Sequence, residues 1–195
     1  LLSRGLGDVY KRQVLPKKIR QAQIFIQNVK PLENQNLTLE EAERMKLEAR
    51  FLIAYYYALL VEFYGAVPFT AEPIDLDAPY DVLMMQQVPV HQVIDWIDNE
   101  LLEVSKGLPA SYTNPTLYGR ATSLMCLAVR SRLLLLSASP LLNGNKDYMN
   151  HKNPNGEELF YSEYDVNRWQ RAANAAKELI DAAHAAGKKL YTVYN

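Results

Sequence analysis

Three side chains on one predicted helix have the types that a metal ion wants. His91 and Asp95 lie four residues apart and Asp98 three further on, so all three share roughly one face. A zinc or iron site would need another ligand from elsewhere in the chain. The same helix carries Val90, Ile94 and Ile97 on its opposite side, so a solvated polar face is the plainer reading. Asn143, Asn145 and Asp147 have the alternating spacing of a calcium loop. Tyr148, however, stands where such a loop needs glycine, and Pro154 where it needs a bidentate glutamate. The segment therefore reads as an Asn-rich turn.

Hydrolytic chemistry asks for two carboxylates in different environments, or for a nucleophile beside a base. The acidic residues Glu40, Glu41, Glu43, Asp95, Asp98 and Glu100 fall at solvated helical positions, and His91, His151 and His184 are scattered. Gly119-Arg120-Ala121-Thr122 opens a helix but lacks the glycine density and lysine of a phosphate loop. Cys126 sits in an apolar helix and reads as core. No catalytic, metal or cofactor residue is assigned, and ligand-binding residues stay unknown at this stage.

Aromatic side chains offer a different chemistry. Tyr55, Tyr56 and Tyr57 span about 200° of a helix, so at most two face the same way; with Trp96 and Trp169 they read as interhelical packing. Tyr80, Tyr112, Tyr118, Tyr148 and Tyr161 fall in loops. An exposed ring is a platform for the apolar face of a sugar, with nearby Asn or Asp binding hydroxyl groups.

Five amphipathic segments must position these groups. Ile19, Ala22, Ile26 and Val29 predict a helix over 17–29, closed by Pro31. The tetrad Thr38-Leu39-Glu40-Glu41 predicts a capping box at the head of a long helix that Gly65 and Pro68 end. Its expected inward stripe is Leu39, Ala42, Met45, Ala49, Leu52, Tyr56, Leu59 and Phe63. Asn36-Leu37-Thr38 also matches a glycosylation sequon, and is read as capping. A third helix spans about 90–106, with Val90, Val93, Ile94, Ile97 and Leu101 inward. A fourth spans about 121–138, with Leu124, Ala128 and Leu135 beside Met125, Val129 and Leu136. The last begins near Asn167, with Gln170 at capping-box spacing, and buries Trp169, Ala172, Ala173, Ala176, Leu179, Ile180 and Ala183 up to Gly187. Two long connections, 66–89 and 140–164, separate them, and such loops tend to be functional. No period-two strand pattern stands out. The expectation is an all-α, tetratricopeptide-like stack of helical hairpins.

Composition excludes several classes. With 21 basic and 22 acidic residues in 195, the chain has no electrostatic footprint for nucleic acid. A 49% hydrophobic fraction argues against disorder, and a single cysteine excludes an internal disulfide or a cysteine-based zinc cluster. The uncharged apolar run 51–61 is too short to span a bilayer. Residues 1–13, LLSRGLGDVYKRQ, show no helical periodicity and look like translated sequencing-adapter read-through, so they are set aside as a non-native or disordered leader; 14–195 is taken as the inner part of a longer protein.

Several stretches together carry a resemblance. Glu48-Ala-Arg-Phe-Leu-Ile-Ala-Tyr-Tyr-Tyr-Ala-Leu-Leu-Val-Glu-Phe-Tyr-Gly-Ala-Val-Pro-Phe69 closely resembles the "EARFLRAYYY…LV…YGGVP" signature of SusD/RagB outer-membrane nutrient-binding lipoproteins. Tyr118-Gly-Arg-Ala-Thr122 leading to Ser137-Ala-Ser-Pro-Leu141 resembles that family's "GRAT…ASPL" helix. The segments Lys18–Ile26 and Trp169–Ala173 fall where it has comparable helices. Ile53 replaces the usual arginine, and Glu62 stands where a basic residue is common.

The resemblance implies a non-catalytic binder on the surface of Bacteroidota-type outer membranes. Such a protein has a tetratricopeptide-like scaffold, needs no cofactor, and hands oligosaccharides, or peptides in some members, to a TonB-dependent SusC-like transporter. The family's lipoprotein signal and lipidated cysteine have no counterpart here, since Cys126 lies mid-helix. Ligand residues vary among members, so none is carried over. The alternatives are a helical-repeat scaffold that binds only proteins and, more remotely, a glycoside hydrolase.

Overall fold

The computed structural model describes residues 2–190 apart from 33, 35 and 36. Asn36, the acceptor of the sequon, lies outside the described residues. Among the described residues six helices follow one another: α1 Leu2–Asn28, α2 Leu39–Tyr64, α3 Tyr80–Leu83, α4 Val90–Gly107, α5 Ser123–Ala138 and α6 Asn167–Ala185. The sixth, beyond the five expected, is the single turn α3 inside the 66–89 connection. Among the described residues there is no strand, only the isolated bridges Leu32–Leu37, Val67–Val88 and Lys152–Glu158. No described helix is long and apolar enough to cross a membrane.

The helices stack in chain order, α1 on α2, α2 on α4, α4 on α5 and α5 on α6, which is the arrangement of consecutive helical hairpins. At the centre runs α4. Its apolar residues Val90, Ile94, Ile97, Leu101 and Val104 recur at spacings of four and three, and none is more than 1% exposed. That seam faces α2 on one side and α5 on the other, so the helix is buried by both neighbours. Gly107 lets the end of α4 press on α2, because a Cβ there would meet Leu47 at 2.5 Å.

Four expectations need correction. α1 begins at Leu2 rather than near residue 17, and runs through Pro16, whose missing N–H removes one helical hydrogen bond. In α2 the stripe is rotated: Leu39, Leu52 and Phe63 are exposed, while Phe51, Ile53, Ala54, Tyr57, Leu60 and Val61 are buried. The segment 51–61 is apolar on all sides, so its neighbours rather than its pattern select the inner face. In α5, likewise, Met125 and Leu135 are exposed, whereas Cys126, Leu127, Leu133 and Leu134 are buried. In α6, Trp169 and Ile180 face solvent, and Arg168, Ala172 and Ala175 are inward.

Capping follows the sequence in part. The amide of Glu41 donates to Thr38 Oγ1 at 3.1 Å, and that of Met125 to Thr122 Oγ1 at 3.2 Å. The reciprocal half of the Thr38 box is not made, because the Glu41 carboxylate accepts from Arg44 and Arg120 instead. At α6 the capping-box spacing of Asn167 and Gln170 is not used. Asp165 Oδ1 accepts from the Asn167 amide at 2.9 Å.

Candidate functional site

The connection 66–89 starts at Gly65, which closes α2 with φ +70°, a conformation that favours glycine. The Gly65 amide donates to Val61, and the Val67–Val88 bridge brings the two ends of the connection together. Between them, three backbone carbonyls spaced four residues apart are held by side chains. Gln87 Nε2 donates to Ala66 at 2.9 Å, Gln23 Nε2 to Thr70 at 3.0 Å, and Arg20 Nη1 to Ile74 at 2.6 Å. The Tyr57 hydroxyl donates to the Thr70 carbonyl and accepts from its amide. Phe69 packs between Tyr57 and Trp96, tilted to the first and edge-on to the second, with ring centroids 4.8 and 4.9 Å away. The connection is thus an arch strapped to α1 and α2.

The second connection, 140–164, is bracketed by two asparagines. Asn143 donates to the Ala138 and Asp165 carbonyls and accepts from the Asp165 amide, tying the end of α5 to the start of α6. Asn145 caps a 3-10 turn by accepting from Asp147 N at 3.0 Å and also donates to Leu141. Two of the three calcium-loop candidates, Asn143 and Asn145, therefore spend their side chains on backbone groups. Asn153, 8% exposed, donates to the Gln87 carbonyl at 2.8 Å, and the Leu159 carbonyl accepts from the amide of Val90, the first residue of α4. Phe160 lies on Gly65, where a Cβ would stand 2.7 Å from its ring. Both long connections consequently meet at the start of α4.

Aromatic rings surface that junction. Tyr148 packs on Phe160 with centroids 4.7 Å apart, and His151 stands edge-on to both. Beside them Tyr161, 39% exposed, is fixed by two contacts. The guanidinium of buried Arg168 lies 4.5 Å from its ring centroid, and His91 meets it edge-on at 4.9 Å. Arg168 itself donates to Ser137 Oγ at 3.1 Å. Burial, together with the Arg168 charge, lowers the His91 pKa from its ordinary value, while Asp95 and Glu157 oppose the shift. A half-exposed ring held in this way can stack on a flat apolar ligand face without losing further freedom.

The metal candidates on α4 do not converge. His91 turns to Tyr161, Asp98 accepts from Arg130 and Arg171, and Asp95 pairs with Arg171. Among the described residues no group of three or more His, Cys, Asp or Glu side chains is placed to hold a metal ion. Cys126 is fully buried, and burial pushes its thiol up to about 12. Tyr55 stacks on Phe51 and Tyr57 is core, whereas Tyr80 and Tyr118 stand well out in solvent. Tyr112 donates to Glu48, which also holds Arg120 of the Gly-Arg-Ala-Thr stretch, so that motif braces α2 against the start of α5. Arg168 and Asn153 were not legible as site residues; their only signal was their place beside loop tyrosines.

Two further concavities flank the scaffold. One, of about 470 Å3, lies under the strapped arch. The other, of about 790 Å3, is an apolar groove between α2 and α5, lined by Phe51, Tyr55, Met125 and Leu135 among others.

Comparison with known proteins places this geometry. The SusD-like family described as starch-binding and associating with the outer membrane matches residues 12–135. The chain belongs to the SusD-like family. No curated protein sequence matches it. Among solved structures, the SusD-like chain is similar to BT4246 with a TM-score of 0.77 and 34% identity, over 89% of this chain and 30% of that one. It is also similar to a SusD-like protein (BF3747) from Bacteroides fragilis NCTC 9343, TM-score 0.64, 19% identity, 90% of this chain and 27% of that one. Surface glycan-binding protein A from Bacteroides uniformis matches with a TM-score of 0.54 and 22% identity, over 84% of this chain and 29% of that one. The last two likenesses concern the fold alone. This SusD-like chain therefore spans less than a third of the length of the structures it matches.

Proposed function

We propose that this SusD-like chain serves non-catalytic glycan binding at the cell surface, delivering oligosaccharide to a TonB-dependent SusC-like transporter. The observation that carries the reading is Tyr161. Its ring is half-exposed yet immobilised by Arg168 and His91, at the place where both long connections meet. Binding without turnover needs such a rigid platform and no activated nucleophile. The family's description, starch-binding and outer-membrane-associated, supports this assignment, as does the name of the Bacteroides uniformis surface glycan-binding protein.

Calorimetric titration with maltooligosaccharides and β-glucan oligosaccharides tests it. Binding should be weakened about tenfold by Tyr161→Ala, the scale of one aromatic stacking contact, and should change little with salt. Delivery is tested by co-purification with a TonB-dependent outer-membrane transporter. A second reading, a helical scaffold for protein partners only, is favoured by the apolar groove between α2 and α5. Transporter capture with no glycan heat would decide for it.

A further inference from the structure

The cavity under the arch has a chemistry that Tyr161 does not share. Its walls are apolar where Ile19, Leu60 and Val67 line it and polar where Arg20, Gln23 and Gln87 do, and among the described residues no Asp or Glu contributes. Hydrogen-bond accounting shows what is left for a ligand. Arg20 uses one N–H on Ile74, and among the described residues that carbonyl is its one hydrogen-bond partner. Gln23 and Gln87 each use one amide N–H on the arch. A guanidinium offers five N–H groups and a carboxamide two, so the unused capacity is dominated by donors. The Tyr57 hydroxyl is already satisfied by Thr70 in both directions.

A half-buried cation with no counter-anion among the described residues, in a chain of net charge −1, is a local selector rather than part of a general positive field. Its strap to Ile74 fixes the guanidinium before any ligand arrives, which limits the entropy lost on binding. About 470 Å3 falls within the range of small-molecule sites and admits one or two sugar rings. We propose that this cavity binds the uronate residue of an acidic glycan, its carboxylate on Arg20 and its apolar ring face against Ile19 and Leu60. The assignment rests on the glycan-binding reading and adds a ligand class to it.

Calorimetry of the 195-residue chain tests this with digalacturonate, maltose and sodium acetate as probes. Digalacturonate should bind, with maltose and acetate each at least about tenfold weaker, the scale of one charge-assisted contact. Arg20→Gln should remove the preference for the acidic sugar and Arg20→Lys should keep part of it. Since Arg20 also holds the arch, Met85→Trp supplies an independent check by filling the cavity and leaving the Arg20–Ile74 bond in place. It should abolish digalacturonate binding with no change in Tm. Equal affinity for maltose or acetate, undiminished binding in Met85→Trp, or no digalacturonate binding at millimolar concentration would each overturn the assignment. If neutral oligosaccharides still bind and respond to Tyr161→Ala, only this inference fails; if neither class binds, the glycan reading fails with it.

Discussion

Asn153 donates from Nδ2 to the carbonyl of Gln87 at 2.8 Å, across 66 residues of sequence. This bond and the Val90–Leu159 backbone bond are the seam between the two long connections. Asn153 also donates to Glu157, so replacing it with alanine removes both bonds and loosens the turn around Gly156. A loss of about 1 kcal/mol is expected, the ordinary net worth of an intramolecular hydrogen bond. Thermal melting measures the total. Hydrogen exchange locates it, with faster exchange at the amides of Val90 and Leu159 than in the rest of α4; a uniform change along the chain would contradict the seam.

Two aspartates three residues apart on α4 should behave very differently. Asp98, with its side chain 11% exposed, accepts from Arg130 of α5 and from Arg171 of α6, and so joins three helices. Asp95 shares Arg171, but both side chains are nearly half exposed. Asp98→Ala leaves two guanidinium groups short of a counter-charge and should cost about 3 kcal/mol, whereas Asp95→Ala should cost less than about 1 kcal/mol. Urea unfolding of the two variants decides it. Equal losses would mean that the Asp98 cluster is a surface pair after all.

The contrast explains what the sequence could and could not disclose. The seam of α4 was legible because its spacing of four and three leaves one solution, and every residue of it is buried. Thr38 announced the start of α2 because capping is local chemistry, whereas the cap at Thr122 was read only as part of a stretch that opens a helix. The inner faces of α2 and α5 were not legible. Both are apolar nearly all round, so the choice between Leu52 and Ile53, or between Leu135 and Leu134, depends on neighbours far away in sequence. The proposed site was least legible, since the contacts that hold Tyr161 come from Arg168 and His91, seven residues after it and seventy before it. The loop tyrosines were named only as a class, and nothing local separated Tyr161 from the exposed Tyr118.

His91 makes the Tyr161 contact sensitive to acid. Its pKa lies below the ordinary 6.5 because burial disfavours the charged ring and Arg168 repels it, against the attraction of Asp95 and Glu157. A lowered folded-state value means that the fold prefers the neutral ring. The associated stability is present above pH 6.5 and is lost as pH falls through the lowered value. Imidazole NMR titration should show His91 protonating below the ordinary 6.5, with Tyr161 resonances moving in the same step. In His91→Gln the acid-dependent movement of Tyr161 should disappear. A His91 titration at or above the ordinary value would sink the argument.

The groove between α2 and α5 leads to a solution property. It holds about 790 Å3 between Arg120–Glu48 at one end and Arg132–Glu62 at the other. Leu135 is 55% exposed, Met125 41% and Leu52 38%, so the apolar lining is open to water in the chain as it stands. Contiguous apolar surface of this kind attracts amphiphilic dyes and other copies of the protein. Anilinonaphthalene sulfonate should therefore fluoresce with the native chain, below the melting transition. Leu135→Gln should reduce that signal and shift stability by no more than about 0.5 kcal/mol, because the side chain already faces solvent. Its neighbour Leu134, 2% exposed, gives the control. Leu134→Ala should cost about 2–5 kcal/mol and leave native-state dye binding unchanged, since it empties the core and not the groove. A silent dye, or a signal that follows Leu134 rather than Leu135, would show that the groove is closed in solution.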